Sequence, residues 1–205
     1  MGARVKLSLW RRHPEGFFAS LGILLIAAYV TFHHPPGLTR LGYGEDLGGI
    51  ELSRIVMADS LDRVGRPDFR TDRFMAPAGA NAVYFSWALE RDWVGALAWK
   101  ANPDFPWLYF YFVTSMLVSF VGVFWILGRM GDIKPGARLI IALSATLFNI
   151  PRHYKTYHHF EHLIHHWFII GLFLDAWIWK RVGETRRIST RLALWRLLAL
   201  QATFT

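Results

Sequence analysis

The sequence predicts an all-α, polytopic helical membrane protein with about four transmembrane helices and amphipathic interfacial helices in a long first outer loop. Three observations predict this class. Hydrophobic residues make up 53% of the chain, and aromatic residues make up 16%, including ten tryptophans. Charged residues amount to only 19% and fall in blocks between apolar runs, as in a chain that crosses a bilayer repeatedly.

The positive charge and the lack of cysteine narrow the classes of function. A net charge of +8 is also typical of nucleic-acid-binding proteins. In a membrane chain, however, basic residues mark the cytoplasmic ends of helices, so we expect no nucleic-acid partner. The sequence contains no cysteine, which excludes disulfides and thiolate metal sites.

The first transmembrane helix is predicted at about residues 15–33. A basic tail over 1–16 precedes an uncharged apolar run over 17–32, and Pro35 and Pro36 end that run. With its flanks, the run is long enough to span about 30 Å of hydrocarbon. No small-x-small cleavage site follows, so we interpret the segment as an uncleaved signal anchor.

The predicted outer loop covers residues 34–105 and contains more acids than bases. The spacing of apolar residues over 47–64 predicts an amphipathic helix on the membrane surface or against the bundle, and residues 65–68 should end it. Residues 76–81 are typical of a turn. A second amphipathic helix is predicted over 83–99, and its three tryptophans fit a membrane interface.

Three further spans complete a predicted single membrane domain, residues 1–205. These spans lie at about 107–127, 137–152 and 162–180. The middle span is short, and it crosses a bilayer only if its flanks extend it or the bilayer thins. Residues 190–205 are predicted to begin another hydrophobic helix.

The distribution of basic residues predicts the orientation. The N-terminal tail and residues 128–138 and 180–196 are basic connectors, and the cytoplasmic preference of Lys and Arg places all three on one side. The outer loop and residues 151–161 then share the opposite side. We therefore expect an integral membrane protein with a cytoplasmic N-terminus. The outer loop and residues 151–161, which contain candidate site residues, should lie outside.

An acidic pair, Glu45-Asp46, follows the first apolar segment. Adjacent carboxylates can act as a general base or as ligands of a hard divalent cation such as Mg²⁺ or Mn²⁺, which prefers oxygen donors. The alternative is a solvated turn flanked by glycines.

Cationic side chains on the same side can contact a phosphate or anchor lipid headgroups. These candidates are Arg54, Arg152, His153 and Lys155.

A histidine-rich tract covers residues 153–166. If it is helical, His158, His162 and His165 share one face at positions i, i+4 and i+7, where three imidazoles can bind zinc, iron or copper. This pattern predicts a histidine-metal membrane enzyme as one hypothesis. The other interpretations are a polar or phosphate-contacting site, and a helix start whose histidines bond to acids of the outer loop or to lipid headgroups.

The layout resembles that of GT-C glycosyltransferases, in particular the early loop of oligosaccharyltransferase catalytic subunits and related bacterial membrane proteins. The matching features are a basic tail, one helix, and a long outer loop that opens with an acidic pair. The residues that carry the resemblance are Glu45-Asp46, Arg54, Gly65, Asp72, Pro77, Gly79, Trp87 and Asn149-Ile150-Pro151. Family members have more spanning helices, so the resemblance implies that this chain corresponds to the N-terminal part of the larger fold.

The resemblance implies transfer of a sugar from a polyprenyl-phosphate-linked donor on the extracytoplasmic side of a bacterial inner membrane. By that resemblance Asp46, with Glu45 beside it, is the base or metal ligand. Arg152, His153 and Lys155 are implied contacts to the donor phosphate. Besides the histidine-metal enzyme, the remaining alternative is a non-enzymatic membrane subunit or transporter fragment.

Overall fold

The computed structural model describes residues 14–33, 45–65, 70–71, 80–81, 89–147 and 166–204. In this part of the chain the fold is all-helical, as predicted, apart from one pair of two-residue strands. The helices are α1 (Pro14–His33), α2 (Glu45–Val64), α3 (Leu89–Ala101), α4 (Trp107–Arg129), α5 (Pro135–Leu147), α6 (His166–Thr185) and α7 (Thr190–Phe204). The antiparallel strands are β1 (Arg70–Thr71) and β2 (Ala80–Asn81).

Two of the described helices are long and apolar enough to cross a membrane, over Pro14–Phe32 and Tyr109–Arg129. They correspond to the first two predicted spans. Helix α5 is apolar but has 13 residues, which make about 20 Å of helix at 1.5 Å per residue. Membrane crossing by α5 and α6 remains a prediction, and the predicted extensions over 148–152 and 162–165 lie outside the described residues.

The main core forms around α4, against which α1, α5 and α6 pack. Phe112 and Phe120 of α4 are buried together with Ile26 of α1 and Ile169 of α6. The Phe120 ring comes so close to α1 that a Cβ added to Gly22 would lie 2.0 Å from it. Burial of these large side chains supplies the packing that holds the four helices together.

Two polar contacts show which helix ends lie together. Arg138 of α5 donates from Nη1 to Glu15 Oε1 of α1 at 2.8 Å, and the Lys180 ammonium of α6 donates to the backbone carbonyl of Met130. One end therefore holds the starts of α1 and α5 and the ends of α4 and α6. We call it the basic end, and its cationic residues are Arg129, Lys134, Arg138, Lys180, Arg181, Arg186, Arg187 and Arg191.

The opposite end, which we call the site end, holds the starts of α4 and α6. Helices α2 and α3 form a hairpin beside it, in which Met57 packs against Ala96. The hairpin is fastened to the start of α4, where the Trp107 ring lies 2.9 Å from the position of a Cβ on Gly95. A glycine permits this close approach, since any side chain would displace the indole. The second predicted amphipathic helix is α3, which continues to Ala101.

The boundaries of α2 correct the interpretation of the acidic pair. The helix ends at Val64, and Gly65 follows with a φ of +68°, as the predicted stop requires. The helix begins at Glu45, so Glu45-Asp46 forms its first turn and not a separate turn after α1. Acidic residues are favoured at this position because the N-terminal end of a helix carries partial positive charge.

The short strand pair is a second correction. Residues 80 and 81 were predicted to belong to a turn, but they form β2, with Asn81 opposite Arg70 and Ala80 opposite Thr71. Local composition favours a turn there because alanine and asparagine have low strand propensity. The pairing depends on partners nine and eleven residues away in the chain, which local composition does not reveal.

Candidate active site

The candidate active site is centred on His166, the first residue of α6. Its imidazole is buried and has a neighbour on each ring nitrogen. Nδ1 lies 2.9 Å from the buried Ser115 hydroxyl of α4, and Nε2 lies 3.5 Å from Glu90 Oε1 of α3. Three helices therefore contribute a hydroxyl, an imidazole and a carboxylate, with the imidazole in contact with the other two groups.

The Glu90 carboxylate is the most densely contacted member of this group. It accepts hydrogen bonds from the Trp167 indole and from the Tyr111 hydroxyl, and it faces His166. Burial raises the pKa of Glu90, but the hydrogen bonds from His166 and Trp167 and the charge attraction of His166 outweigh burial, so its pKa is lowered from the ordinary value of 4.5. Glu90 is thus ionised at neutral pH.

Local helix geometry explains how these groups come together. Tyr111 and Ser115 are four residues apart on α4, and such positions lie above one another on one helix face. His166 and Trp167 begin α6, and the His166 ring meets the Tyr111 ring edge to face at 6.1 Å. Glu90 lies in the first turn of α3. Glu90 and His166 therefore lie in the first turns of α3 and α6, and Tyr111 and Ser115 lie about one and two turns into α4.

The exposed fraction of each side chain in the site determines whether it can contact a substrate. Ser115 is only 2% exposed and lies inside a helix, so it cannot meet a substrate as a nucleophile. The Glu90 side chain is 39% exposed and is the member that a substrate can reach. A carboxylate held by an imidazole and two further donors is kept ionised and in one orientation, so it can face the proton of a bound substrate. The arrangement is therefore a carboxylate base that His166 and Ser115 hold in position.

A buried ion pair follows Glu90 in the sequence. Arg91 donates from Nε and Nη2 to Asp92 Oδ1 at 3.0 and 2.9 Å, and the two side chains are 2% and 0% exposed. Such a pair is costly to desolvate, and the loss of one partner leaves an uncompensated charge. The pair is therefore a buried structural contact directly after Glu90 in the first turn of α3.

Arg54, a predicted phosphate contact, is a buried residue of α2. Its guanidinium carbon lies 4.3 Å from the ring centroid of Trp99 and 5.8 Å from that of Trp107. Cation–π contacts of this kind join the hairpin to the start of α4. Phosphate binding by Arg54 stays a prediction, and the structure assigns the residue a packing contact as well.

The acidic pair lies on the same helix as Arg54. Glu45 and Asp46 are the first residues of α2, and their side chains fall outside what the structure describes. The eight residues from Asp46 to Arg54 correspond to about 12 Å along the helix axis. The catalytic and metal-binding roles of the pair stay predictions.

The remaining predicted site residues lie outside the described part of the chain. They are Arg152, His153, Lys155, His158, His162 and His165. No three His, Cys, Asp or Glu side chains converge on a metal position among the described residues. His166, the last residue of the histidine tract, already has both ring nitrogens in contact with Ser115 and Glu90.

Sequence reasoning identified the tract that ends in His166 but missed its partners. One signal was present: Tyr111 and Ser115 are polar residues at helical spacing inside an apolar run. Polar residues in such a run usually face the protein interior. Glu90 and Trp167 gave no comparable signal, because their meeting depends on how α3 packs beside α6.

No protein-family model, curated protein or solved structure matches this chain. The described part of the chain is helical apart from β1 and β2, with two helices long and apolar enough to cross a membrane and a carboxylate–imidazole–hydroxyl cluster shared by α3, α4 and α6. The resemblance to GT-C glycosyltransferases stays a prediction from the sequence.

Proposed function

We propose that the protein is a membrane-embedded glycosyltransferase module of the GT-C type. It transfers a sugar from a polyprenyl-phosphate-linked donor to an acceptor on the extracytoplasmic side. The observation that carries the proposal is the ionised Glu90 carboxylate, which His166 and Ser115 hold at the site end of the bundle. Transfer to a hydroxyl or amide needs a positioned base, and Glu90 supplies one.

The proposed membrane orientation follows from the two ends of the bundle. The basic end carries Lys and Arg at the ends of α4 and α6 and at the starts of α5 and α7, and such residues are retained in the cytoplasm. The site end then faces the opposite compartment, where polyprenyl-phosphate-linked sugars are used by the enzymes that this chain resembles. With α1, α4, α5 and α6 as the four spans, the hairpin of α2 and α3 lies at the outer interface.

The proposed reaction requires one proton transfer. The acceptor loses its proton to a Glu90 oxygen as its heteroatom bonds to the anomeric carbon. The bond from that carbon to the donor phosphate breaks, and the lipid phosphate leaves as an anion. His166 and Ser115 do not touch the substrate and act as positioning residues.

The residues implied by the family resemblance have proposed roles around this base. Asp46 and Glu45 would orient the acceptor or hold Mg²⁺ or Mn²⁺, and oxygen donors suit such a cation. Arg54, Arg152, His153 and Lys155 would contact the donor phosphate.

The test compares variants for sugar transfer in cells that depend on this protein. Glu90→Gln removes the base and keeps the shape, so we expect at least a ~100-fold loss of transferred sugar and accumulation of the polyprenyl-linked donor. Asp46→Asn is expected to act in the same direction. Mass spectrometry of lipid-linked and transferred glycans measures both quantities.

Glu184→Gln is the matched control for this test. It is the same chemical change on α6, but Glu184 contacts only Lys180 and Arg181 at 3.7 Å each among the contacts described, at the basic end. Its glycans should equal those of the wild type. If all three variants are inserted normally and show wild-type glycans, the protein is a non-enzymatic subunit and the proposal is wrong.

A further inference from the structure

A second polar site lies at the basic end, remote from Glu90. A cavity of about 760 Å³ opens between the last turn of α4 and the connection from α6 to α7. Four arginines line it, and no acidic residue does so in the part of the chain described. The arginines are Arg129, Arg181, Arg187 and Arg191.

Tryptophans form the apolar wall of this cavity. Trp125 and Trp177 meet edge to face with ring centroids 5.8 Å apart, and Trp195 lines the same space. The guanidinium of Arg129 lies 5.2 Å from the Trp125 centroid, so one arginine is held against the wall. An aromatic wall below a cationic rim suits a ligand that is apolar at one end and anionic at the other.

The start of α7 adds backbone donors to the same cavity. Ser189, Thr190, Arg191 and Leu192 line it, and the first backbone bond of this turn runs from Ala193 N to Ser189 O at 3.0 Å. The N–H groups before Ala193 have no partner within the helix, and together they favour an anion. Cations, an aromatic wall and a helix start therefore surround one volume.

We propose that this cavity binds the phosphate headgroup of an anionic phospholipid. A phosphodiester oxygen accepts from the arginines, and the glycerol and first acyl carbons lie along the tryptophan wall. The volume suits a group larger than inorganic phosphate, since cavities of 300–1,000 Å³ hold ligands of drug size. The inference rests on the membrane embedding in the proposed function and not on sugar transfer.

The test measures lipid binding to the purified full-length protein in neutral detergent. Native mass spectrometry with phosphatidylglycerol should show one saturable bound lipid, and phosphatidylcholine should not compete for it. Arg187→Gln with Arg191→Gln should weaken binding about 30-fold, from roughly fivefold for each cation near an anionic headgroup. Trp177→Phe should weaken it severalfold with no change in charge.

Lys134→Gln is the control, since Lys134 is an exposed cation of the basic end that does not line the cavity. Glycerol 3-phosphate and inorganic phosphate form a separate arm. Competition by them with the same dependence on Arg187 and Arg191 would keep the phosphate site and assign it a soluble ligand. Equal weakening of lipid binding by Lys134→Gln, or lipid binding that is unchanged in all these variants, overturns the proposal.

The proposal of lipid binding and the proposal of sugar transfer can be contradicted independently of each other. Glu90→Gln should abolish transfer and retain the bound lipid, and the double arginine variant should lose the lipid.

Discussion

The imidazole of His166 lies between the Ser115 hydroxyl and the Glu90 carboxylate, and the Trp167 and Tyr111 side chains complete the shell of that carboxylate. A carboxylate with three donors is stabilised in its charged form. The same contacts that make Glu90 a well-oriented base also join α3, α4 and α6. At this scale, folding and the proposed chemistry depend on the same hydrogen bonds.

The lowered pKa of Glu90 predicts how stability changes with pH. Its folded-state pKa lies below the ordinary value of 4.5, so the unfolded chain binds the proton more readily in acid. The stabilisation is complete above about pH 4.5 and is lost as pH falls through the folded pKa. Thermal melts in detergent from pH 7 to pH 3 should show a smaller loss for Glu90→Gln than for the wild type. Parallel curves for the two proteins would contradict this assignment.

The contacts that single residues make were the hardest feature to predict from the sequence. The sequence indicated a histidine tract and a cationic residue at position 54, because composition and local charge show such features. It gave no sign that Arg54 lies between Trp99 and Trp107 or that Glu90 meets His166. Those contacts join residues more than forty positions apart, and only packing brings them together.

At the scale of helices, the contact between α1 and α4 depends on a missing side chain. A Cβ on Gly22 would meet the Phe120 ring at 2.0 Å, and Phe120 is fully buried. We expect Gly22→Ala to destabilise the folded protein by about 1–3 kcal/mol, because the ring or the helix must shift. Thermal melts or denaturant titration in detergent measure the change.

Gly16→Ala is the control within the same helix. A Cβ at that position meets nothing within 4 Å, so the substitution should be neutral or should stabilise α1 through alanine's helix propensity. If the two variants melt alike, the close packing of α1 on α4 is wrong.

Helices were predicted well where one physical signal dominated. The apolar runs of α1 and α4 and the glycine stop after α2 are local features, and the structure confirms these elements. The first turn of α2 and the strand β2 were missed because flanking glycines and weak strand formers favour a turn locally. In those places the backbone's hydrogen-bonding partners override local propensity.

At the scale of the whole molecule, the two ends of the bundle differ in charge and in chemistry. Contacts of Glu15 with Arg138 and of Met130 with Lys180 gather cationic helix ends on one side. The ionised Glu90 and its partners lie on the other. The proposed sugar transfer and the proposed lipid site both require these ends to lie on opposite faces of a membrane.

The sequence anticipated this polarity from the basic connectors alone, because Lys and Arg retention is a rule about short loops rather than about packing. The number of crossings was harder to predict. Helix α5 is too short in its described extent to span about 30 Å. The prediction that it crosses the membrane therefore comes from the distribution of basic residues and not from its length.

Cysteine labelling from outside intact cells tests the central claim that the two ends face opposite sides. The chain has no cysteine of its own, so single introduced thiols report without background. Asp104, between α3 and α4 at the site end, and Lys134, between α4 and α5 at the basic end, are both exposed positions. A membrane-impermeant maleimide should label Asp104→Cys in intact cells and Lys134→Cys only after permeabilisation. Equal labelling of both positions before permeabilisation, or the reverse order, would contradict the account.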